Sequence, residues 1–491
     1  MGSKIAVIGS GISGIAVAAR LAARGHEVVV FEKNSFPGGK LSEIRAGEFR
    51  FDAGPSLFTM PQWVDDVFVS CSESPRDFFN YKPLPVLCKY FWNNGKKLEF
   101  SADLDTAAKR LEEDFGEDRG ALSKYLKKSR KKYDLVGEIF LKKPLNQWST
   151  WWDQKTIKSL FQIFEFELFS TLNAANKRFF NSGEIVQLFN RYATYNGSNP
   201  YRISGMFSMI PHIEMNRGAY APEGGMIAIT NSLVELGKRC GVEYQFGTLV
   251  SEILVKDSRV TGIRLKDGGE MYFDRIISNM DIKLTYEKLL PDCPPPAKLK
   301  YEERSSSGFI FYWGIKREFP ELDVHNIFFS ENYPAEFNAI EKGEIADDLT
   351  VYVNITSKYN PTDAPRGMEN WFVMVNVPGD RGHDWVKMRA KIRKRVIRKL
   401  NKNLGLDIES QIVSEEVMDP TGLARRTLSA DGALYGSSSN NMWAAFLRQF
   451  NRHSGIKNLY FCGGSVHPGG GIPLCLSSAE IVDKMIGEET F

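Results

Sequence analysis

Cysteine and histidine are scarce in this chain, six of each in 491 residues. The cysteines (Cys71, Cys88, Cys240, Cys293, Cys462 and Cys475) never adopt C-x-x-C spacing. That argues against a bound metal and a disulfide framework, and it makes a reducing, cytoplasmic compartment the expectation. Charge of one sign is not in excess. A net charge of +3 is too small to signal nucleic acid, and no basic motif of that kind occurs. No apolar run reaches the roughly 18 uninterrupted residues a membrane span needs. The apolar start is interrupted by glycines and lacks a cleavage-type site, so it does not read as a secretory signal. Internal repeats and low-complexity segments are absent. The length exceeds one typical domain, and two domains with large cores are expected.

What is present is glycine at both ends. Near the C-terminus, Leu459-Tyr-Phe-Cys-Gly-Gly-Ser-Val-His-Pro-Gly-Gly-Gly-Ile-Pro-Leu-Cys runs from an apolar strand through Gly463, Gly464, Gly469, Gly470 and Gly471 toward helix signals at 477–486. Such glycines let backbone touch a flat ligand, and free N–H groups at a helix start can face negative charge. Near the N-terminus, 4–8 reads as a buried strand, Gly9-Ser-Gly11-Ile12-Ser-Gly14 as a G-x-G-x-x-G turn, 15–24 as a helix and 27–31 as a second strand ending at Glu32. A carboxylate about 20 residues after the last glycine suits an adenosine ribose. A bare βα turn would leave that acid unexplained.

Two further permissive turns, Pro37-Gly-Gly-Lys40 and Asp52-Ala-Gly-Pro55, are more than an NAD domain needs. They suggest a longer ligand, FAD, spanning from Gly9 to Gly471. The cofactor domain is then discontinuous, over 1–71, 218–300 and 436–491. Its middle block is a helix from Gly224, strands at 242–246, 249–256 and 259–265, and a return strand at 275–279. The remainder, 72–217 and 301–435, forms a substrate domain. Its part near 120–170 is helical, basic and aromatic. There Lys124, Lys127, Lys128, Arg130, Lys131 and Lys132, then Lys142, Lys143, Lys155 and Lys158, share a span with Trp148, Trp151, Trp152, Phe161, Phe164, Phe166 and Phe169. That mixture suits a membrane interface as well as a solvated helix followed by a core helix. Stretches 307–315, 349–354 and 370–376 read as aromatic strands of one sheet, able to line a long apolar pocket or simply to fill a core. The stretch 385–400 reads as a basic surface helix.

These motifs resemble the phytoene-desaturase-like carotenoid desaturases, FAD enzymes of the amine-oxidase/glutathione-reductase superfamily. Gly9 to Glu32 and Gly38-Gly39-Lys40 carry the superfamily. Asp52-Ala-Gly-Pro55, Gly218-Ala-Tyr-Ala-Pro-Glu-Gly-Gly-Met226 and His467-Pro-Gly-Gly-Gly-Ile-Pro473 with Ser478-Ala479 carry the carotenoid group. The resemblance implies an α/β fold: a Rossmann-type FAD domain with an inserted α+β substrate domain and a helical, membrane-associating region. It also implies that Glu32 holds the ribose, that Gly9, Gly11, Ile12 and Gly14 admit the pyrophosphate, and that Lys40, Ser56 and Leu57 line the ribityl and flavin portion. Val250 passes the adenine, Asn279 closes the returning strand, and Leu434 lies in a loop near the dinucleotide. Gly464, Gly471 and Ile472 face the flavin edge.

Where such enzymes offer acid/base residues, Ser182-Gly-Glu-Ile-Val186 gives no match. No catalytic acid or base is assigned, and His467 and Glu184 stand as candidates only. The implied reaction is desaturation at an acyclic carotenoid end, with 3,4-desaturation of a 1-hydroxylated acyclic or monocyclic γ-carotene-type substrate foremost. Phytoene or diapophytoene desaturation, carotene isomerisation or retinol saturation are alternatives, and amine oxidation ranks lower. A prenyl-lipid escort or GDP-dissociation-inhibitor-like role is the non-enzymatic one. Quinone or oxygen is the expected electron acceptor, and the inner face of the membrane the expected surface.

Overall fold

The computed structural model describes residues 2–142, 167–441 and 448–489. A parallel five-stranded sheet runs Leu459–Phe461, Arg275–Ser278, Lys4–Ile8, Glu27–Glu32, Glu243–Phe246, so its order interleaves both chain ends with the middle. Its central strands, Lys4–Ile8 and Glu27–Glu32, are largely apolar because both faces are covered, whereas the edge strand Glu243–Phe246 is partly exposed. Ile5, Val7, Val28 and Val30 pack against the helices Ile12–Ala23, Gln62–Ser70, Ile227–Arg239 and Ile472–Glu488. Ala6, Ile8, Val29 and Phe31 point the other way, onto the antiparallel strands Val250–Lys256 and Arg259–Leu265 and the helix Ile282–Leu289. The first helix begins inside the glycine turn, earlier than the expected 15, and its alanines let it lie close to both the C-terminal helix and Ile227–Arg239.

A second, seven-stranded sheet runs Ile412–Met418, Ser307–Ile315, Glu369–Val377, Val351–Ile355, His325–Phe328, Val86–Phe91, Lys97–Ser101. The three aromatic strands foreseen are its centre. Phe309, Phe311 and Trp313 point to the helix Trp385–Leu404, whose other face is basic and exposed, while Ile310 and Tyr312 point inward with Phe372. The hairpin of the first half joins this sheet through a parallel pairing of His325–Phe328 with Val86–Phe91. The edge strand Ile412–Met418 was not foreseen. It is partly exposed and carries Glu415 and Glu416, charges that suit an unpaired edge.

A helical layer that includes Leu104–Phe115, Ala121–Lys142 and Gly183–Asn190 packs on the hairpin strands Val86–Phe91 and Lys97–Ser101. Residues 143–166, which carry Trp148, Trp151, Trp152, Phe161, Phe164 and Phe166 of the basic and aromatic region, lie outside the described residues. Within the described part, two of its lysines are not free cations. Lys132 is buried, with its Nζ 2.5 Å from Glu167 Oε2, and Lys128 Nζ donates to Glu167 Oε1 at 2.7 Å. Burial lowers the Lys132 amine to about 8. Phe169 is 75% exposed. No described helix is long and apolar enough to cross a membrane.

Candidate functional site

The first strand ends in a turn that only glycine makes cheaply. Gly9 has φ +99° and donates its N–H to Phe31 O at 2.8 Å. Gly11 and Gly14 are needed for another reason, close approach. A Cβ on Gly11 would lie 2.5 Å from Asn279 Oδ1, and one on Gly14 2.3 Å from Gly9 O. Gly11 and Ile12 then open the first helix with its N–H groups toward the cavity beyond, which Gly14 itself does not line.

Glu32 closes the second strand, buried. Its Oε2 accepts from the N–H and hydroxyl of Ser10, both at 2.9 Å, and its Oε1 accepts from Asn34 N–H at 2.9 Å. These bonds fix the carboxylate and leave further lone pairs for a hydroxyl ligand. Asn279 ends the return strand and links three segments. Its N–H donates to Ile8 O at 2.8 Å and its Nδ2 to Cys462 O at 3.0 Å, while its Oδ1 abuts Gly11. Val250, buried at the start of its strand, lines the same end.

Lys40 reaches across 394 residues of sequence. Its Nζ donates to Ala433 O at 2.9 Å and Leu434 O at 2.8 Å, so it anchors the loop that carries Leu434. Burial lowers the Lys40 amine to about 8. Ser56 Oγ lies 2.7 Å from Tyr352 Oη, and Leu57 packs beside the hairpin's core.

At the C-terminal end the helix starts at Ile472, not at 477 as the sequence suggested. Pro473 falls in its first turn, where a missing N–H costs nothing. Gly471, with φ +111°, precedes it, and a Cβ there would meet nothing within 4 Å. Its glycine is therefore required by backbone conformation, not by crowding. Gly464 is packed against Gly470, 3.1 Å from a Cβ to Gly470 Cα.

All the sequence-predicted cofactor residues except Gly14 line one continuous cavity of about 540 Å3. Beyond the glycines it extends between apolar side chains, among them Met206, Phe207, Ile210, Ile213, Phe372 and Met374. His467 lines it. Glu184 does not: it sits at the start of Gly183–Asn190, accepting from Asn94 Nδ2 at 2.9 Å and Ser182 Oγ at 2.8 Å. Burial pushes the Glu184 carboxyl up, but these bonds prevail and hold it down at about 2.

Three lining arginines, Arg191, Arg426 and Arg448, escaped the sequence reading. Arg448 is buried and donates to the carbonyls of Tyr435 and Gly464, each at 3.3 Å, and of Ser437 at 3.1 Å. Arg426 donates to Ser42 Oγ at 3.1 Å and Glu43 O at 2.9 Å. Arg448 lies outside any described helix or strand and Arg426 lies in the last turn of the short helix Pro420–Thr427, and neither carries a motif to mark it.

Comparison with known proteins agrees with this architecture. The profile of flavin-containing amine oxidoreductases matches residues 12–482. The chain is 48% identical over 484 residues to a 1-hydroxycarotenoid 3,4-desaturase of Flavobacterium sp. (strain P99-3), covering 98% of this chain and 99% of that enzyme. It is 31% identical over 513 residues to a phytoene desaturase of Fusarium fujikuroi, covering 98% and 89%. Among solved structures, cyclohexylamine oxidase from Brevibacterium oxydans IH-35A superposes with a TM-score of 0.61 at 15% identity over 100% of both chains, a likeness of fold alone. The chain belongs to the flavin-containing amine oxidoreductases, among the carotenoid desaturases, and is an FAD-dependent oxidoreductase.

Proposed function

We propose that the protein desaturates the 3,4 bond at a 1-hydroxylated, acyclic end of a carotenoid. The observation that carries this is the continuity of the glycine cradle with an apolar arm in one cavity, in a chain 48% identical throughout to an enzyme of that name.

The cradle fits FAD on its own geometry: a buried, fixed acid at Glu32, backbone laid bare at Gly9 and Gly11, and a helix N-terminus behind Gly471. Glu32 would hold the ribose, and Gly9, Gly11, Ile12 and Gly14 would make room for the pyrophosphate. Val250 and Asn279 would flank the adenine end. Lys40, Ser56, Leu57 and Leu434 would border the ribityl and ring, with Gly464, Gly471 and Ile472 at the ring edge. We assign 1–71, 218–300 and 436–491 to the cofactor domain, and 72–217 with 301–435 to the substrate domain.

Bound FAD supplies the two-electron acceptor. Around it the protein's own work is placement and the exclusion of water. A C–H next to a polyene releases hydride readily because the positive charge left behind spreads along the conjugated chain. That charge acidifies the neighbouring C–H, so a weak base or a water suffices for the proton. Side chains such as Phe207, Ile213, Phe372 and Met374 keep the cation from capture by bulk water and fix which carbon meets the ring.

The substrate dissolves in bilayers, and we place the working protein on the cytoplasmic face of a membrane, where quinone or oxygen can reoxidise it. Incubating holoprotein on liposomes loaded with 1-hydroxylated carotenoids tests the reading. A red-shifted product spectrum is expected, and an unchanged chromophore for every 1-hydroxylated carotenoid would refute it.

A further inference from the structure

One end of the cavity is polar, which a hydrocarbon site has no use for. Tyr352, Ile327 and Tyr90 are cross-strand neighbours on one face of the seven-stranded sheet, with His325 two residues before Ile327 on that same face. Over this face lies a buried ion pair. Arg191 donates from Nη1 to Tyr195 Oη at 2.9 Å and from Nη2 to Tyr90 Oη at 3.0 Å, and its Nη2 stands 3.7 Å from Glu214 Oε1. Tyr195 Oη in turn donates to Glu214 Oε2 at 2.5 Å. Ser56, Arg191, Tyr195, Glu214, His325 and Tyr352 all line the cavity.

The direction of these hydrogen bonds can be worked out. Asn354 Nδ2 donates to Val324 O at 2.9 Å and lies 3.3 Å from His325 Nδ1. An amide nitrogen only donates, so Nδ1 is an acceptor and the ring hydrogen sits on Nε2. Tyr352 Oη, 2.8 Å from the same Nδ1, therefore donates to it and accepts from Ser56. Burial holds His325 down at about 3, which keeps the ring neutral in this tautomer. No described residue takes the Nε2 hydrogen. The same end of the cavity thus offers a neutral N–H donor from His325 and a carboxylate acceptor from Glu214. An alcohol can use both.

We propose that this polar seat binds the hydroxyl at the terminus of the polyene and thereby selects hydroxylated over plain hydrocarbon ends. The inference rests on the desaturase reading for its substrate and deepens it by naming the selecting groups. Its position agrees with the chemistry: a single carbon separates C1 from C3, so a hydroxyl seat has to adjoin the reacting carbons. Ser56, which hydrogen-bonds Tyr352, belongs to the turn assigned to the flavin portion. A hydrocarbon end in this seat would strip water from polar groups and return no hydrogen bond.

The test measures binding apart from turnover. Holoprotein kept reduced, so that it cannot desaturate, is titrated in detergent micelles with a 1-hydroxylated linear polyene and with the same polyene carrying hydrogen in place of the hydroxyl. Wild type should bind the hydroxylated form at least about tenfold more tightly. His325→Leu and Glu214→Gln should bring the ratio toward one, and His325→Gln, which keeps a donor, should preserve part of it. Should His325→Leu fail to accumulate as holoprotein, Tyr352→Phe, which deletes one oxygen, carries the comparison. Equal affinities in wild type, or an unchanged ratio in the folded variants, overturn the seat. A preference retained by an enzyme that, once oxidised, desaturates neither polyene supports the seat and overturns the desaturase reading alone. Binding of neither polyene overturns both.

Discussion

Lys40 Nζ and the carbonyl oxygen of Leu434 are 2.8 Å apart, the ammonium of a turn near the N-terminus holding a loop near the C-terminus. Replacing Lys40 by Met keeps the stem but leaves the carbonyls of Ala433 and Leu434 without their donor. Unsatisfied groups of this kind cost about 1–3 kcal/mol each. Lys40→Met should therefore lose FAD on gel filtration under conditions where wild type retains it, read as flavin absorbance per protein.

Asp52 gives a pH signature. Burial pushes its carboxyl up to about 6, although Arg50 Nη2 stands 2.7 Å away and Met226 N–H donates to both oxygens at 3.1 Å. A carboxyl whose folded value exceeds its unfolded one binds more protons when folded, so its contribution to stability falls as pH rises from about 4 to about 6. Asp52→Asn cannot titrate. The melting temperature of the variant minus that of wild type should rise across this interval and level off above it, whatever the offset from the lost ion pair.

Arg448 bonds the carbonyls of Tyr435, Ser437 and Gly464. Arg448→Met should lower stability by about 2–4 kcal/mol, through the exposed acceptors rather than lost volume. Denaturant unfolding of the apoprotein reads this without reference to activity, and an effect below about 0.5 kcal/mol would show that water replaces the guanidinium.

Gly14 and Gly471 should respond differently to alanine. At Gly14 the new methyl meets Gly9 O at 2.3 Å and must displace the turn, so Gly14→Ala should fail to retain FAD. At Gly471 there is room for a methyl but φ is +111°, and the cost is backbone strain of roughly 1–3 kcal/mol. Gly471→Ala should still bind FAD, more weakly, with a lower melting temperature.

The parts of this site that could be read in the sequence are those in which one short stretch carries its own signal. Strand, glycine turn, helix and Glu32 fall within the first thirty-odd residues, and each is marked by period or by residue type. Leu434 and Lys40 were both named, but not their bond, because contact across the chain leaves no local trace. The C-terminal helix was placed too late because Gly471 and Pro473 read as breakers, whereas a proline in a first turn is a start. Ile412–Met418 hid because an edge strand need not alternate cleanly. Arg191 and Tyr195 carry no motif of their own, and their role depends on Glu214 and on strands from elsewhere. Polar seats in apolar cavities are assembled by topology, and composition does not reveal them.

The interleaved order of the parallel sheet bears on how the protein is made. Leu459–Phe461 borders Arg275–Ser278, which borders Lys4–Ile8, so within this sheet strands some 450 residues apart lie two places from each other. Until that last strand arrives, Arg275–Ser278 presents an open edge, and the first helix lacks the C-terminal helix that covers it. Pairing over such separations is slow and leaves apolar surface open meanwhile. The sheet therefore cannot close until Leu459–Phe461 is made, and a product cut short before residue 459 would lack both that strand and the helix Ile472–Glu488 that packs on the first helix.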